Sequence, residues 1–372
     1  MTPRRIIRRF GIAVVGAALA LTVSPFTLTA SASPGRAGAV YTESNDPAGN
    51  AVLVFHRAAD GTLTPGPSVD TGGLGAGGKL GSQGALTLSE SGRWLLAVNA
   101  GSDSVSLFRL RTDGMPELAD TAPSGGDMPI SVTTSGNLAY VLDAGSDAIS
   151  GLRVSNGSIS PIPGSTRSLS GAGVGPAEVA FAREGRVLVV TEKNTNLIDT
   201  FRVGPEGRAE GLRSTPSSGA TPFGFAVKGR DVLVSEAFGG AAGASATSSY
   251  AISPGGAVRT VTPSAADGQS AACWVATLAN RQSVYVANTG SNDVSRYSAR
   301  HGGRLTLQSA NAASTGAAPA DMALSSGDRY LYVLNGSDGT ISGFAVDRDG
   351  SLASLGVTAG IPTGIQAGLA AI

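Results

Sequence analysis

Two glutamates and a lysine that could perform acid–base chemistry lie in the stretch GPAEVAFAREGRVLVVTEKN, residues 175–194. The stretch is typical of a strand, a tight turn and a second strand. Glu178 stands at the start of the first strand, and Glu192 and Lys193 follow the second. A neighbouring acid can raise the pKa of a glutamate into the range of a general base. If the strands pair, Glu178 is the candidate base beside Glu192, and Lys193 could hold a carboxylate or an oxyanion.

Seven side chains with a carbonyl or carboxylate oxygen recur at the ends of apolar runs: Glu43, Asn99, Asp143, Glu192, Glu236, Asn288 and Asn335. Asn and Asp at such places also start turns by bonding nearby backbone amides. Glutamate is a poorer turn former, so the three glutamates favour a ligand site. If the seven converge, a cation, an arginine or proton uptake must relieve the repulsion between the acids. Calcium takes oxygen ligands, although the sequence has no EF-hand spacing.

Trp274 and Asp321 occupy places equivalent to that of Glu178 in later repeats. A tryptophan beside acids could stack on a sugar-like ring, or it could be a large core residue between structural units. Cys273 is adjacent and is expected to be buried, because a lone thiol usually behaves as a small apolar group. With one cysteine and two histidines in the chain, a zinc site is not expected.

The elements that position these residues recur every 44 to 53 residues. Each repeat has a bulky apolar anchor, and the anchors are Phe55, Phe108, Leu152, Phe201, Tyr250, Tyr297 and Phe344. Each anchor precedes a pair with glycine second, such as Asp60-Gly61 or Asn156-Gly157, which favours a type I′ hairpin. Short strands with a period in the forties predict an all-β, seven-bladed β-propeller with four-stranded antiparallel blades.

A second family of tight turns lies upstream of the anchors, and it has six members against seven of the first. Its pairs are Ser91-Gly92, Ser135-Gly136, Glu184-Gly185, Lys228-Gly229, Asn280-Arg281 and Gly327-Asp328. The first repeat therefore lacks an innermost strand, and the tail IQAGLAAI resembles the missing one. We predict that this tail pairs with the first blade and closes the ring, which removes exposed sheet edges. Both families of tight turns then lie on one side of the disc, and the irregular loops that carry function lie on the other.

Two irregular loops need separate interpretation. Residues 73–80, GLGAGGKL, are close to a phosphate-binding loop but lack its terminal hydroxyl and precede a strand. They are predicted to be a flexible loop between the first two blades. The long loop at residues 237–249, AFGGAAGASATSS, could be a mobile lid or a contact loop.

Residues 1–32 have the composition of a secretory signal peptide. Four arginines precede an apolar run of residues 10–23, and ASA at residues 30–32 supplies a cleavage site. The run is shorter than the roughly 20 residues that span a bilayer, so no transmembrane segment is expected after cleavage. The general secretory route is favoured, because neither Arg-Arg pair is followed by a typical twin-arginine pattern. We expect a secreted or extracytoplasmic protein with one domain at residues 33–372.

The remaining charge argues against nucleic-acid binding. Without residues 1–32, which hold four arginines and no acid, the chain carries 23 basic and 27 acidic residues. No basic cluster is present to neutralise phosphates. We expect a monomer that needs no cofactor, with calcium as the open alternative.

The stretches YVANTGSNDVSRY (285–297) and YVLNGSDGTISGF (332–344) resemble the YVTN-type repeats of exported propellers. Over nearly the whole mature chain, the arrangement resembles the seven-bladed lactonase superfamily, which includes 6-phosphogluconolactonases and carboxymuconate cyclases. Members tend to show G-P-R-H at a strand start in the fourth blade and N-E after the next strand. Gly175, Pro176 and Glu192 match this pattern, whereas Ala177 and Glu178 replace the arginine and the histidine.

The resemblance leaves two functions open. In one, the propeller binds a small polar or sugar-like ligand, or a cell-envelope component, on its irregular face; Glu43, Asn99, Asp143, Glu236, Trp274, Asn288, Asp321 and Asn335 are the candidate contacts. In the other, it is an altered lactonase that uses Glu178, Glu192 and Lys193. We favour binding, because the acids lack a clear nucleophile or base. Phosphogluconolactone is moreover a cytoplasmic metabolite, which an exported protein would not meet.

Overall fold

The computed structural model describes residues 1–2, 38–279, 283–300 and 302–372. The predicted signal peptide therefore lies outside the described residues, apart from its first two. The Asn280-Arg281 pair and His301 also lie outside them. The chain divides into two units, Met1–Ser33 and Pro34–Ile372, and all the strands belong to the second.

The described residues form 29 strands in seven antiparallel sheets, which we call blades 1 to 7. Blade 1 contains β1 (Gly38–Glu43), β2 (Ala51–Arg57), β3 (Leu63–Asp70) and the C-terminal β29 (Ala367–Ala371). Blade 2 contains β4 (Leu86–Leu88), β5 (Trp94–Asn99), β6 (Ser104–Leu110) and β7 (Pro116–Pro123). Blade 3 contains β8 (Pro129–Ser135), β9 (Leu138–Asp143), β10 (Ala148–Ser155) and β11 (Ser158–Pro161), and the short β12 (Arg167–Ser168) also pairs with β10.

The remaining blades follow in chain order. Blade 4 contains β13 (Pro176–Ala182), β14 (Val187–Glu192), β15 (Leu197–Val203) and β16 (Ala209–Pro216). Blade 5 contains β17 (Pro222–Lys228), β18 (Asp231–Glu236), β19 (Ala246–Ile252) and β20 (Val258–Ala266). Blade 6 contains β21 (Ala272–Thr277), β22 (Val284–Asn288), β23 (Asp293–Ala299) and β24 (Leu305–Ser314). Blade 7 contains β25 (Pro319–Leu324), β26 (Tyr330–Asn335), β27 (Thr340–Val346) and β28 (Leu352–Ala359).

The predicted ring closure is confirmed, because β29 pairs antiparallel with β1 and completes blade 1. The innermost strands β29, β4, β8, β13, β17, β21 and β25 contact one another in ring order. The second strands of the blades, such as β14 and β26, are buried on both faces between neighbouring sheets. The outer strands are mostly exposed. Among the described residues, the short 3₁₀ turn Phe238–Gly240 is the whole helical content.

The outer hairpins differ from the predicted turn type. Of the seven pairs, two have positive φ at both residues, as a type I′ turn requires: Asn156-Gly157, at 53° and 84°, and Gly302-Gly303, at 84° and 82°. The others resemble the hairpin at Gly61: its amide donates to the Ala58 carbonyl, its φ is 89°, and the Ala58 amide donates to Thr62. This is a type I turn followed by a left-handed glycine, the usual three-residue alternative.

Those left-handed glycines connect neighbouring blades. Four buried tyrosines on second strands each donate their hydroxyl to a hairpin glycine carbonyl of the next blade: Tyr41 to Gly114, Tyr140 to Gly207, Tyr285 to Gly350 and Tyr332 to Gly61. The tyrosine rings fill the space between the sheets, and their hydroxyls satisfy a carbonyl at its rim. The predicted repeat is therefore also the unit of packing between blades.

Candidate functional site

A ring of hydrogen bonds joins the inner strands near the irregular face. In three places, a side chain of one blade accepts a backbone amide of the next blade. Ser131 accepts from Val179, at 3.2 Å, and Glu178 accepts from Phe225, at 2.6 Å. Asp321 accepts from Leu369, at 3.0 Å, and so ties blade 7 to the closing strand. Glu178 and Asp321 are buried and connect blades, whereas the sequence suggested a catalytic base at Glu178 and a ligand contact at Asp321.

The equivalent place in blade 5 is Gly224, which has no side chain to contribute. The Gln83 side chain fills this gap: its Nε2 donates to the Val275 carbonyl at 2.8 Å, and its Oε1 accepts the Val275 amide at 3.0 Å. A Cβ placed on Gly224 would lie only 2.2 Å from Gln83 Oε1. Gly224 therefore makes room for a glutamine that reaches blade 6 from a loop between blades 1 and 2.

Gln83 belongs to residues 80–84, which we call the plug segment because they lie across the centre of the ring. The Gln83 amide donates to Ala177 in blade 4. Ser82 Oγ donates to the Ile130 carbonyl at 2.7 Å, and the Gly84 carbonyl accepts from Val132, both in blade 3. The segment thus contacts blades 3, 4 and 6. The strand β4, which follows the plug segment, has only three residues.

The loop before the plug segment is well anchored, in contrast to the expectation of a flexible linker at residues 73–80. Asn45 holds it through two hydrogen bonds, donating to the Gly78 carbonyl and accepting from the Ala76 amide. The Leu74 carbonyl also accepts from Gly101. The glycines allow the loop to pass close to other backbone, since a Cβ on Gly75 would meet the Asn45 backbone at 2.0 Å.

Lys193 holds the plug segment in place. Its Nζ donates to the Gly81 carbonyl at 2.7 Å and to the Pro176 carbonyl at 2.9 Å, and lies 4.7 Å from the centre of the Phe223 ring. Burial lowers the pKa of the ammonium to about 8. Lys193 is thus engaged by two carbonyls and an aromatic face.

Glu178 and Glu192 point to different surroundings, although β13 and β14 pair as predicted. A bulge lies between Pro176 and Glu178, and Glu178 faces blade 5. Burial raises the pKa of Glu178 well above its usual range, and the nearby charge of Asp321 adds to this shift. The expectation that Glu192 would raise it is wrong, because the neighbouring acid is Asp321, from blade 7.

Glu192 is enclosed by residues of its own blade and of the loop that enters it. Its carboxylate accepts from the Ser170 amide at 3.1 Å, the Ser170 hydroxyl at 2.6 Å and the Thr195 hydroxyl at 2.5 Å. Asp199 lies beside it, and burial together with a hydrogen bond to Glu192 raises the pKa of Asp199 to about 7. Glu192 therefore anchors a loop.

The seven polar residues at the strand ends are all fully buried. Their partners lie mostly in their own blade or the loop that enters it: Asn335 donates to Thr340 and Ser342, Asn288 to Asp293 and Ser295. Glu236 likewise accepts from Ser217 and Gly219. The structure brings two of them together through a shared partner, since Asn50 donates to both Glu43 and Asn99.

Glu43 also lies one residue before the strand position that the other six residues occupy. Tyr332 and Tyr41 make the same contact with the next blade, and Asn335 lies three residues after Tyr332. Three residues after Tyr41 is Ser44, so Ser44 is the structural equivalent of Asn335. A one-residue offset turns a strand side chain to the opposite face, which explains why Glu43 faces blade 2.

Within residues 38–279, 283–300 and 302–372, no three histidine, cysteine, aspartate or glutamate side chains are grouped closely enough to hold a metal ion. That no cofactor is needed stays a prediction, and a calorimetric titration with calcium tests the open alternative. In the same part of the chain, no helix is long and apolar enough to cross a membrane.

A pocket opens on the irregular face, between blades 6, 7 and 1. Its volume is about 460 Å³, which includes space open to solvent, and its walls include Lys79, Ser82, Trp274 and Gln366. Trp274 forms part of this wall, but it is 5% exposed and packs in the core between blades, and its indole N–H donates to the Pro319 carbonyl at 2.6 Å. Gln366 was not among the candidates that the sequence suggested; its one signal is a polar residue directly before the apolar closing strand.

The buried acids should make stability depend on pH. Burial raises the pKa of Asp143, Asp199 and Asp321 to about 7, whereas the unfolded values are about 3.9. These groups therefore stabilise the fold while protonated, and the contribution is lost as pH rises from about 4 through 7. We expect the free energy of unfolding in urea to be lower at pH 8 than at pH 5 by about 2 to 3 kcal/mol for each of these carboxyls.

The control for this dependence is Asp143→Asn, which cannot ionise and should reduce the difference between the two pH values. A free energy of unfolding that is equal at pH 5 and pH 8, or higher at pH 8, would contradict the assignment of buried, protonated acids.

Comparisons with known proteins agree with this architecture. The family described as "Lactonase, 7-bladed beta-propeller" matches residues 48–164 and 245–366. The unmatched segment between them contains Glu178, Glu192 and Lys193, where the sequence also departs from the family's motif. No curated protein sequence matches the chain.

Solved structures similar to the chain share its fold at low sequence identity. The periplasmic gluconolactonase of Pseudomonas aeruginosa is 17% identical, with a TM-score of 0.69 over 90% of this chain and 99% of that one. A candidate 6-phosphogluconolactonase from Bacteroides fragilis is 17% identical, with a TM-score of 0.69 over 90% and 98%. A protein from Lactobacillus plantarum is 16% identical, with a TM-score of 0.70 over 90% and 99%. The family match, together with the seven four-stranded blades, shows that the chain belongs to the lactonase family of seven-bladed β-propellers.

Proposed function

We propose that this protein is a binding propeller, which takes a small polar ligand on its irregular face and does not hydrolyse lactones at Glu178, Glu192 and Lys193. The observation that carries the proposal is that all three residues use their charged groups inside the protein. Glu178 accepts from Phe225, Glu192 from Ser170 and Thr195, and Lys193 donates to Gly81 and Pro176.

These contacts are unsuitable for catalysis. A general base must reach the proton that it removes and be ionised at the working pH. Glu178 is buried and already accepts the Phe225 amide, and burial raises its pKa well above the usual range, which disfavours the ionised form that a base needs. The plug segment also occupies the centre of the ring, where a lactone would need to meet these groups.

The alternative is an active lactonase, and its support is the family and the fold shared with the Pseudomonas aeruginosa gluconolactonase. A panel of lactones should separate the two functions, with wild type compared with Glu178→Gln and Glu192→Gln. We expect hydrolysis no faster than the uncatalysed rate in all three proteins. Turnover by wild type that is lost in either variant, while the variant keeps its cooperative unfolding, would establish the lactonase instead.

Binding itself can be followed through the fluorescence of Trp274. Trp94 is the other tryptophan, and it lies on the side of the tight hairpins at the start of β5. In a Trp94→Phe background, a small ligand bound on the irregular face should change the Trp274 emission and raise the melting temperature. Sugars, sugar acids, lactones and ring hydroxy acids form the panel. If no member changes either quantity, the proposed function is wrong.

Export through residues 1–32 is part of the proposal. N-terminal sequencing of the protein recovered from outside the cytoplasm should give a chain that begins at or near residue 33. A full-length chain retained in the cytoplasm would contradict it.

A further inference from the structure

Trp94 occupies a place where neighbouring blades pack together. In five blades, a residue near the start of the second strand lies against the hairpin glycine of the next blade. A Cβ on that glycine would lie within 3.4 Å of the side chain. The pairs are Ala39 with Gly114, Trp94 with Gly157, Leu138 with Gly207, Ser283 with Gly350 and Tyr330 with Gly61. Alanine, serine and leucine are sufficient for this contact, so a tryptophan is larger than the packing requires.

The indole of Trp94 has a polar group that the fold does not use. Tyr330, at the equivalent place in blade 7, donates its hydroxyl to the Ala59 carbonyl at 2.6 Å. The Trp94 N–H donates to no group among the described residues, and its nitrogen is not enclosed. The residue as a whole is half-buried. Trp94 thus offers an aromatic surface and a free donor, and tryptophans with both properties are common at binding sites.

Two hollows meet at Trp94 on the side of the tight hairpins. The inner hollow has a volume of about 710 Å³ and the outer one about 480 Å³, both including space open to solvent. Trp94 and Asn156 line both hollows, and we call the two together the Trp94 groove. The other apolar side chains that line it are Val154, Leu118 and Ala119. One large aromatic surface with little other apolar area suits a ligand that carries hydroxyls along its length.

The polar side chains of the groove include charges of both signs. Two acids, two arginines and two amides line it: Glu90, Glu117, Arg93, Arg109, Asn137 and Asn156. Arg109 lies directly opposite Trp94 on β6 and pairs with Glu117 at 3.3 Å. The charges cancel, and the set contains both donors and acceptors. A sugar hydroxyl both donates and accepts, so it needs partners of both kinds.

We propose that the Trp94 groove binds a neutral oligosaccharide. A sugar ring stacks on the indole, its hydroxyls exchange hydrogen bonds with Asn137 and Asn156, and the chain extends into both hollows. The equal numbers of acids and arginines favour a neutral ligand, and the place of Trp94 between two hollows favours a chain over a single sugar. This site lies on the opposite side of the disc from the ligand face of the proposed function, so the two proposals can fail separately.

Isothermal titration calorimetry with cellohexaose, maltohexaose and N-acetylchitohexaose provides the first test. At least one of these chains should bind about tenfold or more tightly than glucose, because several rings contact the groove. Hexagalacturonate carries a carboxylate on each ring and should bind more weakly than the best neutral chain. No binding by any neutral chain, or tighter binding by hexagalacturonate, would overturn the proposal.

Substitutions of Trp94 provide the second test. Leucine occupies the equivalent place in blade 3, so Trp94→Leu should keep the cooperative urea unfolding of wild type. It should weaken oligosaccharide binding about tenfold or more, whereas Trp94→Phe, which keeps an aromatic ring, should lose less. A folded Trp94→Leu protein that binds the chain as tightly as wild type would overturn the site.

A third test removes one amide without changing its turn. Asn156 has a φ of 53°, which glycine adopts freely, so Asn156→Gly should keep the hairpin. We expect oligosaccharide binding to weaken about three- to tenfold, because hydrogen bonds to the amide are lost. Asn311→Ala, at an exposed asparagine on the outer strand β24, is the control and should bind as wild type does. Equal affinity of wild type and Asn156→Gly would overturn the role of this amide.

Discussion

Removal of residues 367–372 is expected to prevent the protein from folding to a stable ring. These residues include the whole of β29, which pairs with β1 and packs against the inner strands of blades 2 and 7. Without them, Asp321 loses the amide of Leu369, and β1 becomes an exposed edge. The lost contacts rival the total stability of a domain, about 5–15 kcal/mol. We expect no cooperative unfolding transition by circular dichroism and aggregation on purification.

A single substitution in β29 tests the same ring closure with a smaller change to the chain. Ala370 is buried in β29, so Ala370→Asp should lower the free energy of unfolding by about 3 kcal/mol or more. Ala353→Asp, at an exposed alanine of the outer strand β28, is the matched control and should change it by less than about 0.5 kcal/mol. If the truncated chain unfolds cooperatively at the wild-type urea midpoint, the C-terminal strand does not close the ring.

Gly224→Ala is expected to destabilise the protein by about 3 kcal/mol, the upper range for one added methyl in a packed interior. The new Cβ would lie 2.2 Å from Gln83 Oε1 and 2.5 Å from the Cys273 carbonyl. Either Gln83 leaves its place, which frees the Val275 amide and carbonyl, or blades 5 and 6 move apart. The measurement is urea unfolding. Gly49→Ala is the control, because a Cβ there meets nothing within 4 Å.

A double-mutant cycle with Gln83→Ala separates these two causes. Gln83→Ala alone should cost about 1–3 kcal/mol, since Val275 loses both hydrogen bonds. If the collision with Gln83 dominates, the double variant should cost at least about 1 kcal/mol less than the sum of the single variants. Additive costs would show that the Cys273 carbonyl, and not the plug segment, makes glycine necessary.

The position of the plug segment could not be read from the residues around it. Gln83 bonds to Val275, which lies 192 positions away, and the space for its side chain exists because Gly224 interrupts the ring of hydrogen bonds. The sequence GGKLGSQG shows a glycine-rich loop, and such loops are usually flexible. Whether this one is flexible or fills a channel depends on which backbone groups in distant blades lack partners.

The sequence also could not show which neighbouring blade each acidic side chain faces. The bulge between Pro176 and Glu178 decides which neighbour Glu178 faces, and a one-residue bulge reverses the side of every following side chain. The same reasoning explains Glu43, which alignment of strand ends places with Asn335 although its side chain faces the next blade. Burial, together with the nearby charge of Asp321 from blade 7, then raises the pKa of Glu178.

The sequence by itself determined the seven blades, their four strands and the closure by the C-terminal tail. These features depend on turn residues, on alternation along strands and on a count of hairpins, all of which are local or follow chain order. Only the tertiary structure decided which polar groups form the hydrogen bonds that hold the blades together and which still lack a partner. Glu178, Glu192 and Lys193 belong to the first kind and Gln366 to the second, because hydrogen bonds between residues distant in the chain are fixed by the packing of whole sheets.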